Sequence, residues 1–282
     1  MKVRIFLFKF LNVSAWPVWA RRVFVLAALP RRKLDDLPVT IKFGKYLYSG
    51  NATNLIDYHM LSRGAFEPGL AQLLQDWANL HPESIFLDVG ANLGVHTLAV
   101  APLVKRIVAI EPFPPVADRL EATLSANGIS NVLVTRAALS NQNGTVSFKA
   151  PDSSNLGMGR VVAGDGSGNL LQVPQLTGDK LLEEESLPLG LVKIDVEGLE
   201  LAVLDGLQNR IEKDRPLIVF EVLNSDQSAH QAIRELLPRN YSFFRLKNAR
   251  RRKYEVEPWG VESGDIVALP GDGTDFPRTH SS

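Results

Sequence analysis

The sequence predicts a doubly wound α/β domain, and three observations carry that prediction. Apolar runs without polar alternation recur along the chain, each followed by a segment with helical spacing. Strands of a parallel sheet read this way when helices cover both faces. A glycine-containing turn, within "SIFLDVGANLGVHTLAV" (84–100), joins the first of the repeating strand–helix units. Acidic residues close several of the apolar runs, at the strand ends where this architecture places its ligands.

Taken in order, Val39–Phe43 and Tyr46–Tyr48 are predicted as short strands about Gly44, and Pro68–Leu80 as a helix. Ile85–Asp88 is predicted as a strand, Gly94–Leu103 as a helix, Arg106–Glu111 as a strand and Pro115–Asn127 as a helix. Val132–Thr135 and Thr145–Phe148 follow as further strands. The glycine- and serine-rich stretch Pro151–Leu170 reads as a long loop, a length typical of mobile or functional segments. The second half predicts a strand at Leu191–Asp195, a helix at Leu199–Leu207, a strand at Leu217–Glu221 and a helix at Gln227–Leu237. Tyr241–Leu246 and Asp265–Leu269 finish as strands.

Composition narrows the function classes. The 282 residues carry 31 basic and 31 acidic side chains, a formal net charge of zero, and 45% hydrophobic content. That is ordinary globular composition with enough apolar residues for a sizeable core. Zero net charge argues against a generic polyanion binder, so nucleic acid is an unlikely partner. There is no cysteine, which excludes disulfides and thiolate metal sites but does not fix the compartment.

The first 33 residues differ from the rest. They hold eight basic residues and no acid, with Phe6, Phe8, Phe10, Trp16, Trp19 and Phe24 between the charges. Lys9, Pro17, Arg21 and Arg22 break every apolar run well short of the roughly 20 residues a membrane span needs. Three readings stand: a helix lying on anionic lipid, a substrate-domain helix packed on the core, or an amphipathic helix of the fold. The chain accordingly divides into an N-terminal basic, aromatic extension (1–65) and a ligand-binding domain (66–282). The protein is placed in the cytoplasm, with peripheral membrane contact through residues 1–33.

The turn at Gly90–Val95 narrows the ligand. A dinucleotide fingerprint needs G-x-G-x-x-G, and here the string is G-A-N-L-G-V. Asn92 stands where backbone must approach a pyrophosphate, and Val95 replaces the third glycine. The turn therefore suits a ligand without pyrophosphate, such as S-adenosylmethionine. Its carboxylate suits a helix N-terminus and its ammonium could face Asp88. An ordinary strand-to-helix turn is the plainer reading. "RIVAIEPFP" then ends its strand in Glu111, where a βαβ unit places the acid that accepts from ribose hydroxyls. "LVKIDVEGLELAVLDGL" brings Lys193, Asp195 and Glu197 to another strand end, and "RPLIVFEV" brings Glu221 to the next.

"FLDVGANLGVHTL", "AIEPFP", "AALSNQNGTVSF", "KIDVEGLELAVLDG" and "RPLIVFEV" resemble, in order, the motifs of the FkbM family of S-adenosylmethionine-dependent methyltransferases. "FEPG" resembles that family's element upstream of the first motif, and the likeness runs from about Phe66 to Val222. The resemblance implies a class I methyltransferase fold, Rossmann-like, mostly parallel with a final antiparallel strand. It implies methyl transfer to hydroxyls of sugars, glycans or secondary metabolites. It implies that Glu67 touches the cofactor and that Asp88, Gly90, Ala91, Asn92, Gly94 and Thr97 form the cofactor turn. His96 lies beside that turn as a helix-start residue. Glu111, with Pro112, holds the ribose, and Ala137 and Ala138 lie near adenine. The stretch Ser153–Gly159 resembles a loop that approaches the active site.

An alcohol must lose its proton as it attacks a methyl group, so positioning and a general base carry the chemistry. Position makes Asp195 and Glu221 the candidates for the base, with Lys193 orienting one of them or binding an acceptor oxygen. Asp195 also borders the cofactor. No metal-ligand cluster is legible: His59, His81, His230 and His280 are scattered. The basic run Arg245–Lys253 reads as a solvated loop, or as a contact for nucleic acid, phosphorylated glycan or anionic lipid. Two other classes, an NAD-dependent oxidoreductase and a non-catalytic cofactor-binding scaffold, stand against Asn92, "KIDVEG" and the acids at two strand ends.

Overall fold

The computed structural model describes residues 16–17, 19–20, 23, 38–151, 159–162, 170–222, 227–248 and 254–273. Most of the segment 1–33, most of Ser153–Gly159 and the arginines 250–252 lie outside the described residues.

The described chain begins as a hairpin, β1 (Pro38–Phe43) and β2 (Tyr46–Asn51), followed by α1 (Leu55–Arg63) and α2 (Pro68–Leu80). Strands and helices then alternate: β3 (Ile85–Val89), α3 (Val95–Val100), β4 (Arg106–Ile110), α4 (Pro114–Ala126) and β5 (Val132–Thr135). A second group follows: β6 (Ala138–Leu139), β7 (Gly144–Lys149), β8 (Arg160–Val162) and β9 (Leu170–Leu176). The alternation resumes with α5 (Gly178–Leu181), β10 (Leu189–Ile194), α6 (Glu200–Asp205), α7 (Gln208–Asp214), β11 (Leu217–Val222) and α8 (Gln227–Leu236). It closes with β12 (Tyr241–Asn248), β13 (Tyr254–Pro258) and β14 (Gly264–Pro270).

Eight strands form the main sheet in the order β13-β12-β14-β11-β10-β3-β4-β5. β11, β10, β3, β4 and β5 run parallel, and β14 inserts antiparallel between β11 and β12. That order, with the last long strand reversed inside the edge, is the class I methyltransferase arrangement. Both faces are covered. Phe86, Leu191, Val219 and Val267 pack with α2 and α4 in one cluster, while Leu87, Val192, Phe220 and Ile266 pack under α6–α8 in the other. This two-sided burial is why the strands lack alternation in the sequence.

The structure corrects several predicted elements. Thr145–Phe148 is a strand, but β7 joins a separate four-stranded sheet in the order β6-β9-β7-β8. The predicted loop Pro151–Leu170 contributes β8 to that sheet, and β9 begins at its end. β8 has only three residues, and Gln172, Pro174 and Gln175 interrupt the apolar residues of β9, so no unbroken apolar run betrays them. α1, α7 and the edge strand β13 were also not expected. Part of the predicted basic loop Arg245–Lys253 belongs to β12.

Residues 38–63 share their core with the sheet: Ile41, Tyr48 and Met60 pack in the cluster that holds Val116 and Leu120 of α4. A buried ion pair fixes this junction. Asp57 is fully buried and accepts from Arg119 Nη2 at 2.8 Å, Tyr48 Oη at 2.7 Å and the Asn51 amide at 2.7 Å. Burial, with the Asp57 charge next, pushes the Tyr48 hydroxyl well up from its ordinary value and keeps it a donor. Removing one charge from such a set strands the other. Asp57→Asn is expected to destabilise the protein by about 3 kcal/mol, read from the midpoint of urea unfolding.

Candidate active site

The carboxyl ends of β3, β4, β10 and β11 surround a cavity of about 320 Å³, a size suited to a small-molecule ligand. The turn after β3 supplies one wall. Gly90 has φ +77, and a Cβ there would lie 1.9 Å from the Asp195 carbonyl oxygen. Gly94 also has φ +77, and its Cβ would meet Leu120 at 2.3 Å. Both glycines are thus demanded by close packing of β3 on β10 and of α3 on α4. The turn's amides are largely committed as well. Gly90 and Ala91 donate to the Ile110 carbonyl, Gly94 donates to Ala91, and Asn92 donates to Glu111 Oε2 at 3.0 Å. The expected array of free backbone donors is therefore reduced.

The cavity wall includes Glu67, Gly90, Ala91, Asn92 and His96, then Glu111, Pro112, Ala137 and Ala138, then Lys193, Asp195 and Glu221. Three residues expected at the turn stand behind the wall. Asp88 is fully buried, accepts from Thr97 Oγ1 at 2.6 Å, and lies 3.9 Å from Lys193 Nζ. Thr97 and Gly94 do not line the cavity either. Asp88 therefore braces Thr97 and faces Lys193, where the sequence reading aimed it at an ammonium group.

Glu111 accepts from Asn92 N with one oxygen and from Phe113 N, at 2.9 Å, with the other. Each oxygen keeps a free lone pair. Burial pushes its carboxyl up to about 7, against the pull of the two amides. Asn92 adopts φ +51, and its Oδ1 is a buried acceptor without a partner among the described residues.

The opposite end of the cavity is charged. Lys193 is buried and bonds Asp195 Oδ2 at 3.1 Å. Burial opposes its charge, yet Asp195, Asp88 and Glu67 hold the ammonium above its ordinary value. The same ammonium holds the Asp195 carboxyl below the usual carboxylate range, against burial. Glu221 behaves oppositely: burial first, then Asp195 and Asp265, push it up to about 7. Glu67 caps α2 with φ 44, a left-handed conformation uncommon for a non-glycine residue, and its carboxylate meets His96 Nε2 at 2.9 Å. Sequence reasoning missed Phe148, Arg160 and Val161, which bring the small sheet to the cavity: Phe148 closes a predicted strand whose sheet was not foreseen, and the three-residue strand of Arg160 and Val161 lay in a predicted loop. No cluster of three potential metal ligands occurs among the described residues.

Comparison with known families matches residues 88–251, more than half of the chain, to the methyltransferase FkbM domain. The chain belongs to the FkbM methyltransferase family. The matched region is thus a methyltransferase domain, of a family that uses S-adenosylmethionine. Among relatives, the hexuronic acid methyltransferase AglP of Haloferax volcanii is 32% identical over 138 residues, 49% of this chain and 55% of that protein. A protein-L-isoaspartate O-methyltransferase from a Synechococcus strain is 26% identical over 114 residues, 40% of this chain and 39% of that one. The chain thus spans about half the length, or less, of these relatives. The crystal structure of methyltransferase FkbM from Methylobacillus flagellatus KT superposes with TM-score 0.46 at 16% identity, covering 66% of this chain and 44% of that one.

The wall fits the cofactor's polar groups. A ribose diol brings two donors, which the free lone pairs of Glu111 can accept, and Asn92 Oδ1 is an unfilled acceptor beside them. Accepting hydroxyl protons requires Glu111 ionised. Affinity for S-adenosylhomocysteine is therefore expected to strengthen as pH rises from 6 to 8 and to level off above 7, by up to about tenfold per unit below that value. In Glu111→Gln, affinity should fall by about 1.5–3 kcal/mol and lose its pH dependence, both measurable by calorimetry.

Proposed function

We propose that the protein transfers a methyl group to a hydroxyl of a sugar-type acceptor, with Glu221 taking the proton. The observation that carries this reading is the pair of carboxylates at adjacent strand ends in unlike surroundings: the buried Lys193 holds Asp195 ionised, while burial and neighbouring acids raise Glu221. S-adenosylmethionine, when bound, supplies a methyl group made electrophilic by its sulfonium charge. Glu111, Asn92, Ala137 and Ala138 hold the adenosine end, and Glu67 and His96 border the other. Asp195 is paired with Lys193, which weakens it as a base; it serves to accept a hydrogen bond that orients the acceptor. Glu221 titrates near neutrality, where a general base combines availability with driving force. As the acceptor oxygen takes up the methyl group, its hydroxyl proton passes to the Glu221 carboxylate. The similarity to a hexuronic acid methyltransferase supports a sugar acceptor. The test is methyl transfer from labelled cofactor into a fractionated cell extract, with mass spectrometry of the product; label found only on protein or nucleic acid overturns the reading. Glu221→Gln is expected to lower turnover by on the order of 10²–10⁴-fold with S-adenosylhomocysteine affinity retained.

A second reading concerns location. Trp16 packs on the core, while Trp19 and Val23, one helical turn apart, are 73% and 64% exposed. They sit in the stretch with eight basic residues and no acid. No helix among the described residues is long and apolar enough to cross a membrane. We propose peripheral attachment to an anionic membrane face in the cytoplasm, where a lipid-linked glycan is a convenient acceptor. In flotation, the full chain is expected to rise with anionic vesicles and not with neutral ones, and salt should release it.

A further inference from the structure

Charge gathers on one face of the sheet at the carboxyl ends of four neighbouring strands. Asp88 of β3 is the register partner of Lys193 of β10. Ile194 pairs with Phe220, so Asp195 and Glu221 follow side by side at the ends of β10 and β11. Glu221 is in turn directly opposite Asp265 across the antiparallel β11–β14 ladder. Strand alternation puts these groups on one face. Leu191, Val219 and Val267, two residues from Lys193, Glu221 and Asp265 respectively, all belong to the α2 and α4 side, and Val192, Phe220 and Ile266 to the other. Asp265 is at the start of its strand in the sequence, so nothing there marked it as a site residue. The reversal of β14 brings it to the same end of the sheet as the carboxyl ends of the parallel strands.

Like charges directly opposite one another on an antiparallel pair repel. The neighbourhood adds to that repulsion. Asp195, Glu197 and Glu67 also face Glu221. Glu67 and Asp195 face Asp265 as well, with Lys193 and His96 offsetting them in part. Lys193 is already engaged with Asp195, and among the described residues no cation forms an ion pair with Glu221 or Asp265. Two carboxyls so placed repel, and the one with the higher affinity for a proton is raised further by the charge of the other.

We propose that Asp265 is a positioning residue for methyl transfer: it stands opposite Glu221 on the antiparallel ladder, and its negative charge strengthens Glu221 as a base able to act at neutral pH. The proposal rests on the reading of Glu221 as proton acceptor. It accounts for part of the rise of Glu221 to about 7, in which burial is the first cause and Asp195 and Asp265 come next. The acceptor's proton passes to the ionised Glu221 carboxylate during transfer and leaves to solvent afterwards, so no further reactant is needed.

Carboxyl-labelled glutamate in the purified full chain allows Glu221 to be followed by carbon NMR, its resonance assigned by loss in Glu221→Gln. A midpoint near 7 is expected for the native chain. In Asp265→Asn it should fall by roughly one unit, a tenfold weaker hold on the proton, and Asp265→Glu should restore it. The acid limb of methyl transfer should move to lower pH in Asp265→Asn, so that relative activity at pH 6 rises; a merely structural role would not do this. A midpoint unmoved in Asp265→Asn overturns the influence of the Asp265 charge, whatever Glu221 does in catalysis. Full methyl transfer by Glu221→Gln overturns the proton-acceptor reading, and with it the role of Asp265 in transfer, even where the midpoint moves.

Discussion

The closest constraint in the molecule is the contact between the end of β3 and the end of β10. Position 90 has no room for a side chain because the Asp195 carbonyl occupies that space, and the Asp195 amide donates to the Val89 carbonyl at 3.0 Å. One glycine therefore brings the turn after β3 and the end of β10 together. Asn92, next along the turn, then meets Glu111 of β4 through its amide. Asp195, fixed by its backbone, holds Lys193. The cavity lies among these strand ends, bordered by Asp195 just after β10 and Glu221 on β11.

That arrangement separates two kinds of carboxylate by environment alone. Asp195 has a buried ammonium beside it and remains ionised; Glu221, a neighbour on the next strand, has only acids and burial. The raised groups weaken the fold at neutral pH. Glu111 and Glu221 bind protons more tightly in the folded chain, near 7, than at their ordinary value of 4.5. Their contribution is therefore most favourable below about 4.5 and declines as pH rises through 7. A ligand that binds only the folded chain restores stability by mass action.

Much of this was legible in the sequence, and the reasons are physical. Buried parallel strands announce themselves as unbroken apolar runs, so β3, β4, β10 and β11 were found with their terminal acids. Glu111 and Glu221 could be read because a charge closing such a run has few purely structural explanations. Asp88 was read at the right place with the wrong orientation, since its engagement with Thr97 and Lys193 depends on α3 and β10 packing together. The small sheet was only partly seen, because β6 and β8 have two and three residues and Gln172, Pro174 and Gln175 interrupt the apolar residues of β9, while β7 was read without its partners. Asp265 escaped because its importance comes from strand reversal, a property of topology. Residues 38–63 read as an extension because neither Asp57 nor Arg119 signals a partner sixty-two positions away.

The small sheet is inserted between β5 and β10 and hydrogen-bonds only within itself. Its strands reach the cavity through Phe148, Arg160 and Val161, while the main sheet supplies the glycine turn and the acids. Changes to this insert can thus reshape part of the cavity wall while the main sheet keeps its own strand pairing.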